Sequence, residues 1–102
     1  MQVHISGKNF DVSGRLKSHI ESGTAKLLRF YDPIIDCRVT VGQENLMRRA
    51  DVVVQVDAQM LKAAHEAETV YVAVDGALEK MEGQLKKLRD KRRKHRTAAA
   101  AS

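Results

Sequence analysis

An apolar stripe that ends before its helix does is the strongest constraint in this 102-residue chain. Val70, Val74, Ala77, Met81, Leu85 and Leu88 recur at three- and four-residue spacing, which predicts an amphipathic helix. Helix-forming residues continue to Arg96, so the helix spans about 40 Å at 1.5 Å per residue. Its first half must lie on a core, and its last two turns must project beyond that core with nothing to bury. Those turns are intensely basic. From Lys80 to Arg96 there are nine bases against two acids, a charge of +7 within a chain whose total is +5, so the remainder is −2. A concentrated positive field on a near-neutral domain raises the local concentration of polyanions, nucleic acid above all. The plain alternative is a solvated helix end, and its cations would in any case suit the C-terminal pole of the helix dipole.

The length allows one domain with a modest core. Aliphatic residues must fill it, since tryptophan is absent and only Phe10, Phe30, Tyr31 and Tyr71 are aromatic. The opening residues alternate polar and apolar, unlike a signal peptide. Nothing approaches the roughly 20 apolar residues of a membrane span. The single cysteine, Cys37, excludes an internal disulfide, fits a reducing cytoplasm and reads as a small core residue.

Val3 and Ile5 alternate with polar neighbours, as in a short strand. Ser13 is a candidate N-cap for a helix whose stripe is Leu16, Ile20, Leu27 and Tyr31. Gly23 is a weak point inside it, and Asp32-Pro33 stops it. Ile35, Cys37, Val39 and Val41 alternate in a second strand, residues 42–49 read as a loop, and 51–58 form a valine-rich third strand. Residues 60–66 make a weaker fourth. The order β-α-β-β-β-α, with local connections between antiparallel strands, predicts an α+β sandwich with both helices on one face of a four-stranded sheet. Residues 1–96 form the domain, and 97–102 are a small-residue, disordered tail.

At 100° per residue, Lys80, Gln84, Lys87, Lys91 and Lys94 fall within about 80° of one another. This ridge lies about 110° from the middle of the apolar stripe, and Lys86, Asp90 and Arg93 extend it outward. Cations one helical turn apart can follow phosphates without reading bases. On the first helix Arg15, Lys26 and Arg29 share a face, either a plain solvent face or the second wall of one basic groove. The aromatics read as core, which argues against a sheet that stacks single-stranded bases and for recognition of folded RNA by shape. No metal-ligand spacing, phosphate-cradling loop or nucleophile–base pair is visible. The four histidines lie on separate elements. The expectation is a non-enzyme without cofactor, metal or small-molecule substrate.

The run Tyr71-Val72-Ala73-Val74-Asp75, followed by Lys80-Met81-Glu82-Gly83-Gln84-Leu85-Lys86-Lys87, resembles the signature helix of bacterial hibernation-promoting factors and ribosome-associated inhibitor A. The opening M-Q-V-H-I-S-G strand, and Ala25-Lys26-Leu27 leading to an aromatic pair and Asp32, agree as well. The similarity covers about residues 1–96. It implies a cytoplasmic, non-catalytic protein, monomeric when free, that sits on ribosomal RNA of the small subunit in the messenger- and transfer-RNA channel. There it silences translation in stationary phase or stress. Lys26, Lys80, Lys87 and Lys91 match basic positions of that family, and Arg89 and Arg93 match its lysines. With Arg29, Lys86 and Lys94 these make the candidate RNA-binding set.

Gly23 and Gly83 stand where basic residues are common in the family, so contacts are expected to be missing there. Lys86, Arg92 and Lys94 are candidates to compensate. Thr69 replaces an aspartate but can also cap a helix. The chain stops before the dimerisation domain of longer relatives and so resembles the short form, which leaves promotion of ribosome dimerisation open. Two other readings stand beside this one. A general double-stranded-RNA-binding domain would carry its lysine cluster at the start of the last helix, where this chain reads TVYVAVD. A basic protein-interaction module, of the sigma-factor modulator type, would bind an acidic protein without RNA.

Overall fold

The structure, a computed structural model, describes the backbone of residues 1–101 and the side chains of residues 1–92. Its elements are β1 (Gln2–Lys8), α1 (Gly14–Ala25), a 3₁₀ turn (Lys26–Arg29), β2 (Asp36–Glu44), β3 (Met47–Val56), β4 (Gln59–Ala67) and α2 (Val70–Ala101). The sheet runs β1-β2-β3-β4, so β1 and β4 are its edges. β2, β3 and β4 pair antiparallel, as local connections require. β1 departs from that expectation and pairs parallel to β2. The intervening α1 returns the chain to the end of the sheet where β1 began, as in any strand–helix–strand crossover.

Period-two alternation decides which face of the sheet is buried. Cys37, Val39 and Val41 from β2 and Ala50, Val52, Val54 and Val56 from β3 are buried. They meet Leu16 and Ile20 of α1 and Val74, Ala77, Met81 and Leu85 of α2, all buried as well. Both helices therefore cover one face, as predicted. Each fully buried aliphatic side chain contributes about 1.5–3 kcal/mol by leaving water. The stripe fades where expected: Leu88 is only partly buried.

Three local readings are corrected. Residues 42–49 are not a loop. Gly42 pairs with Arg49, Gln43 with Arg48 and Glu44 with Met47, leaving a two-residue turn at Asn45–Leu46. Asn45 takes φ 58°, a left-handed conformation that asparagine tolerates. The pairing continues past the core, where neither face needs apolar residues, so the alternation signal is lost. Second, Ile34 rather than Ile35 enters the core: Ile35 is 51% exposed and precedes β2. Third, the first helix does not run through to Tyr31. It tightens into the 3₁₀ turn after Ala25, a frequent ending for α-helices. Ser13 does cap its start, accepting from the Leu16 amide at 3.1 Å.

Candidate nucleic-acid interface

Thr69 opens α2, its hydroxyl accepting from the Val72 amide at 3.3 Å and its carbonyl from the Ala73 amide at 3.0 Å. Threonine thus serves as the cap that the sequence allowed it to be. The first turns of α2 are tied to α1. His19 Nε2 lies 2.7 Å from Asp75 Oδ1, and the His19 ring meets Tyr71 edge-on at 5.1 Å between centroids. Gly23 belongs to the same seam: a Cβ there would stand 2.5 Å from a Leu78 methyl. The position read as a missing cation is a place where α2 comes against the backbone of α1.

The candidate cations separate onto two sides of α2. Toward β4, Lys80 Nζ donates to the Ala64 carbonyl at 2.9 Å and Gln84 Nε2 to the Lys62 carbonyl at 2.6 Å. These carbonyls lie on an edge strand, whose unpaired groups would otherwise invite another strand. Lys80 is therefore committed, at least in part, to closing the sheet. Further along this side Lys87 is exposed, and Lys91 lies beside the β3–β4 turn at Asp57–Ala58. Lys86 is exposed on the outer surface. Among the described residues, no ion pair within 4 Å involves Lys86, Lys87 or Lys91.

Toward the 3₁₀ turn, a different group forms. Arg29, Arg89 and Arg92 line one cleft with Leu28, Phe30, Tyr31 and Asp32. Arg92 Nη1 donates to Tyr31 Oη at 3.2 Å, with its guanidinium 5.8 Å from the ring centre. Tyr31 Oη donates in turn to Asp57 Oδ2 at 3.2 Å. The single basic groove suggested by the sequence is thus only partly realised. Arg29 of the first helical segment lines the same cleft as Arg89, but Lys80 and Gln84 face the opposite side. Lys26 is exposed at the start of the 3₁₀ turn. The side chains of Arg93 and Lys94, and the tail expected at 97–102, lie outside the described side chains.

Burial pushes the Cys37 thiol up to about 11 from 9.0, with help from the adjacent Asp36 charge. A thiol so strongly protonated is a poor nucleophile. Among the described residues, no cluster of three or more His, Cys, Asp or Glu side chains is placed to hold a metal ion. No helix there is long and apolar enough to cross a membrane.

Residues 3–93 match the family described as Sigma 54 modulation protein / S30EA ribosomal protein. The chain belongs to this family. Curated relatives include the ribosome hibernation promoting factor of Escherichia coli K12, 30% identical over 95 residues, covering 93% of this chain and all of that one. The factor of the same name from Pseudomonas putida KT2440 is 30% identical over 101 residues and covers 99% of both chains. Among solved structures, a ribosomal subunit interface protein from Coxiella burnetii superposes with a TM-score of 0.79 at 25% identity, over 88% of this chain and 99% of that one. The N-terminal domain of Protein Y from Thermus thermophilus gives 0.79 at 22%, over 86% and 99%, a likeness of fold.

Within this S30EA family member, Arg92, which the sequence offered with Lys86 and Lys94 as a candidate to compensate for Gly23 and Gly83, is tied to Tyr31, a contact the sequence reading did not foresee. A signal was there. At 100° per residue Arg92 falls about 20° from Met81, on the continuation of the Leu85–Leu88 stripe. An arginine on that line past the last leucine is positioned to fold back on the domain, and its long stem lets it do so.

Proposed function

We propose that this family member silences ribosomes. In this reading it binds the small subunit in the messenger- and transfer-RNA channel and excludes those ligands sterically, held by contacts to ribosomal RNA phosphates. The observation that carries the proposal is the exposed cationic end of α2, where Lys86, Lys87 and Lys91 stand off the apolar stripe and make no ion pair within 4 Å among the described residues. Names of full-length relatives support hibernation as the process, and the site's chemistry supports phosphate as the ligand. Lys26, Arg29 and Arg89 extend the contact toward α1, and Arg93 and Lys94 extend it along α2. Lys80 contributes what its bond to Ala64 leaves free. The protein acts in the cytoplasm, as a monomer when free, without catalysis.

The test is co-sedimentation of the purified protein with bacterial small subunits in the presence of excess duplex RNA. Binding that survives the competitor and is lost in Lys87→Glu/Lys91→Glu supports a shaped ribosomal site. Binding erased by the competitor reduces the protein to a general polyanion binder, the double-stranded-RNA alternative. Absence of binding turns the search to an acidic protein partner.

A further inference from the structure

We propose that the cleft between the 3₁₀ turn and α2 is a separate site for one unpaired nucleotide of RNA. Its phosphate lies on the guanidinium groups of Arg29, Arg89 and Arg92, and its base lies against Phe30. The inference rests on the RNA-binding reading above and narrows it, because it names a second mode of contact that the lysine ridge does not supply.

Four observations carry it. First, three arginines face one carboxylate, Asp32, across the same cleft, so it holds a net +2. Guanidinium groups present paired donors that match phosphate oxygens. Second, no hydrogen bond to another described residue claims the Arg89 guanidinium: Asp90 Oδ1 is 3.7 Å from its Nε, too far for a hydrogen bond. Third, one wall is fixed in advance: Arg92 is held by Tyr31, itself 6% exposed and bonded to Asp57. Fourth, Phe30 is not wholly core. It is half-buried and among the residues that line the cleft, with Leu28 at 37% exposure.

The size fits part of a polymer. The cavity measures about 220 Å³, below the roughly 300–1,000 Å³ of pockets that enclose a whole small molecule. An aromatic wall recognises a base only when that base has left its stack, so the cleft selects loops, bulges or single strands. The ridge of Lys87 and Lys91 makes no such demand, since duplex and single strand both offer it phosphates.

The test is fluorescence titration of the full chain with a labelled single-stranded RNA tetranucleotide and with a short RNA duplex. Phe30→Leu should weaken the single strand about fivefold to a hundredfold, the range of base–aromatic stacking, and leave the duplex within about twofold. Phe30→Tyr should restore single-strand binding. Arg89→Gln, at a partly exposed position, should weaken the single strand likewise and serves as the second variant if Phe30→Leu melts early. Lys87→Glu/Lys91→Glu should weaken both RNAs. Equal loss of both RNAs in the Phe30 and Arg89 variants, or no loss in either, overturns the nucleotide site while leaving the ribosome reading intact. Failure of the unaltered protein to bind either RNA or small subunits sinks both.

Discussion

The open face of the sheet and the free end of α2 are both densely charged, and they handle charge in opposite ways. On the open face, strand register brings Lys8, Arg38, Arg49 and Lys62 together with Asp36, Glu44, Asp51 and Glu66, which sums to zero. Arg49 alone donates to Asp51 at 3.1 and 3.2 Å and to Glu66 at 3.2 Å. The hydrogen bonds and charge of Asp51 hold its proton more firmly still than an ordinary arginine's. Arg38 donates to Asp36 at 3.2 Å, and His4 Nε2 approaches the same carboxylate at 2.9 Å. The end of α2 has the opposite economy, +7 from Lys80 to Arg96 with Glu82 and Asp90 as its acids. A neutralised face projects little field, whereas an uncompensated one extends about a Debye length, ~8 Å at physiological salt. The contrast teaches which cations are open to an anion: four bases on the sheet are balanced by four acids, whereas nine on the helix meet only two, so pairing decides availability.

Reversing charge on each surface in turn gives the largest expected difference. Lys87→Glu/Lys91→Glu should cost about a hundredfold or more in small-subunit affinity, roughly 3 kcal/mol. Two lost phosphate contacts should also flatten the salt dependence by about two units of slope. Arg38→Glu, an equal reversal per residue on the sheet, should leave affinity within about threefold, because no phosphate contact and no counterion release is lost there. Affinity measured across a salt series checks both. If the two surfaces prove equally sensitive, binding follows the long-range field of the whole protein and the contact picture fails.

Much of this contrast was legible before the structure. The charge excess, the apolar stripe and its early end are all periodic or compositional facts, and those survive into three dimensions. The pairing was not legible, because it depends on register between strands distant in sequence: Arg49 reaches Glu66 across β3 and β4. The β2–β3 hairpin hid for a related reason. Its outer half lies beyond the core, so residues 42–49 show no alternation to read. On the interface side, the ridge of Lys80 and Lys87 followed from 3.6-residue geometry, but the diversion of Lys80 to Ala64 depends on where β4 runs. The Arg92–Tyr31–Asp57 chain joins three elements, and only the odd placement of an arginine on an apolar line hinted at it.

A smaller effect links the balanced face to the core behind it. Cys37 points inward from β2 while its neighbour Asp36 points outward, and burial plus that carboxylate raise the thiol to about 11. The folded protein then keeps a proton that the unfolded chain releases near 9.0. Stability from this source is complete below pH 9 and falls as pH rises toward 11, by on the order of 2 kcal/mol. Denaturant unfolding at pH 8, 9, 10 and 10.5 should show the decline, and Cys37→Val, close in volume, should decline less. Identical slopes would mean that the thiolate is tolerated and that the core beside Asp36 is wetter than its burial indicates.

The smallest effect divides the ridge itself, and it is the sharpest test of the idea that pairing decides availability. Lys80 and Lys87 sit two helical turns apart on the same side of α2, carry the same charge and are both exposed. They differ in one respect: Lys80 Nζ holds the Ala64 carbonyl on the sheet edge. Methionine in place of either keeps an unbranched apolar stem and removes the ammonium. Lys80→Met should therefore cost about 1 kcal/mol of unfolding free energy, the usual net worth of one hydrogen bond, with little change in the salt slope of RNA binding. Lys87→Met should do the reverse, leaving stability unchanged and lowering the slope by about 0.9. Chemical denaturation and a salt titration on the same two proteins decide it. Should Lys80→Met flatten the slope as much as Lys87→Met, the bond to Ala64 yields to phosphate on binding. The edge of β4 would then open as the RNA arrives, and the two cations would belong to one class after all.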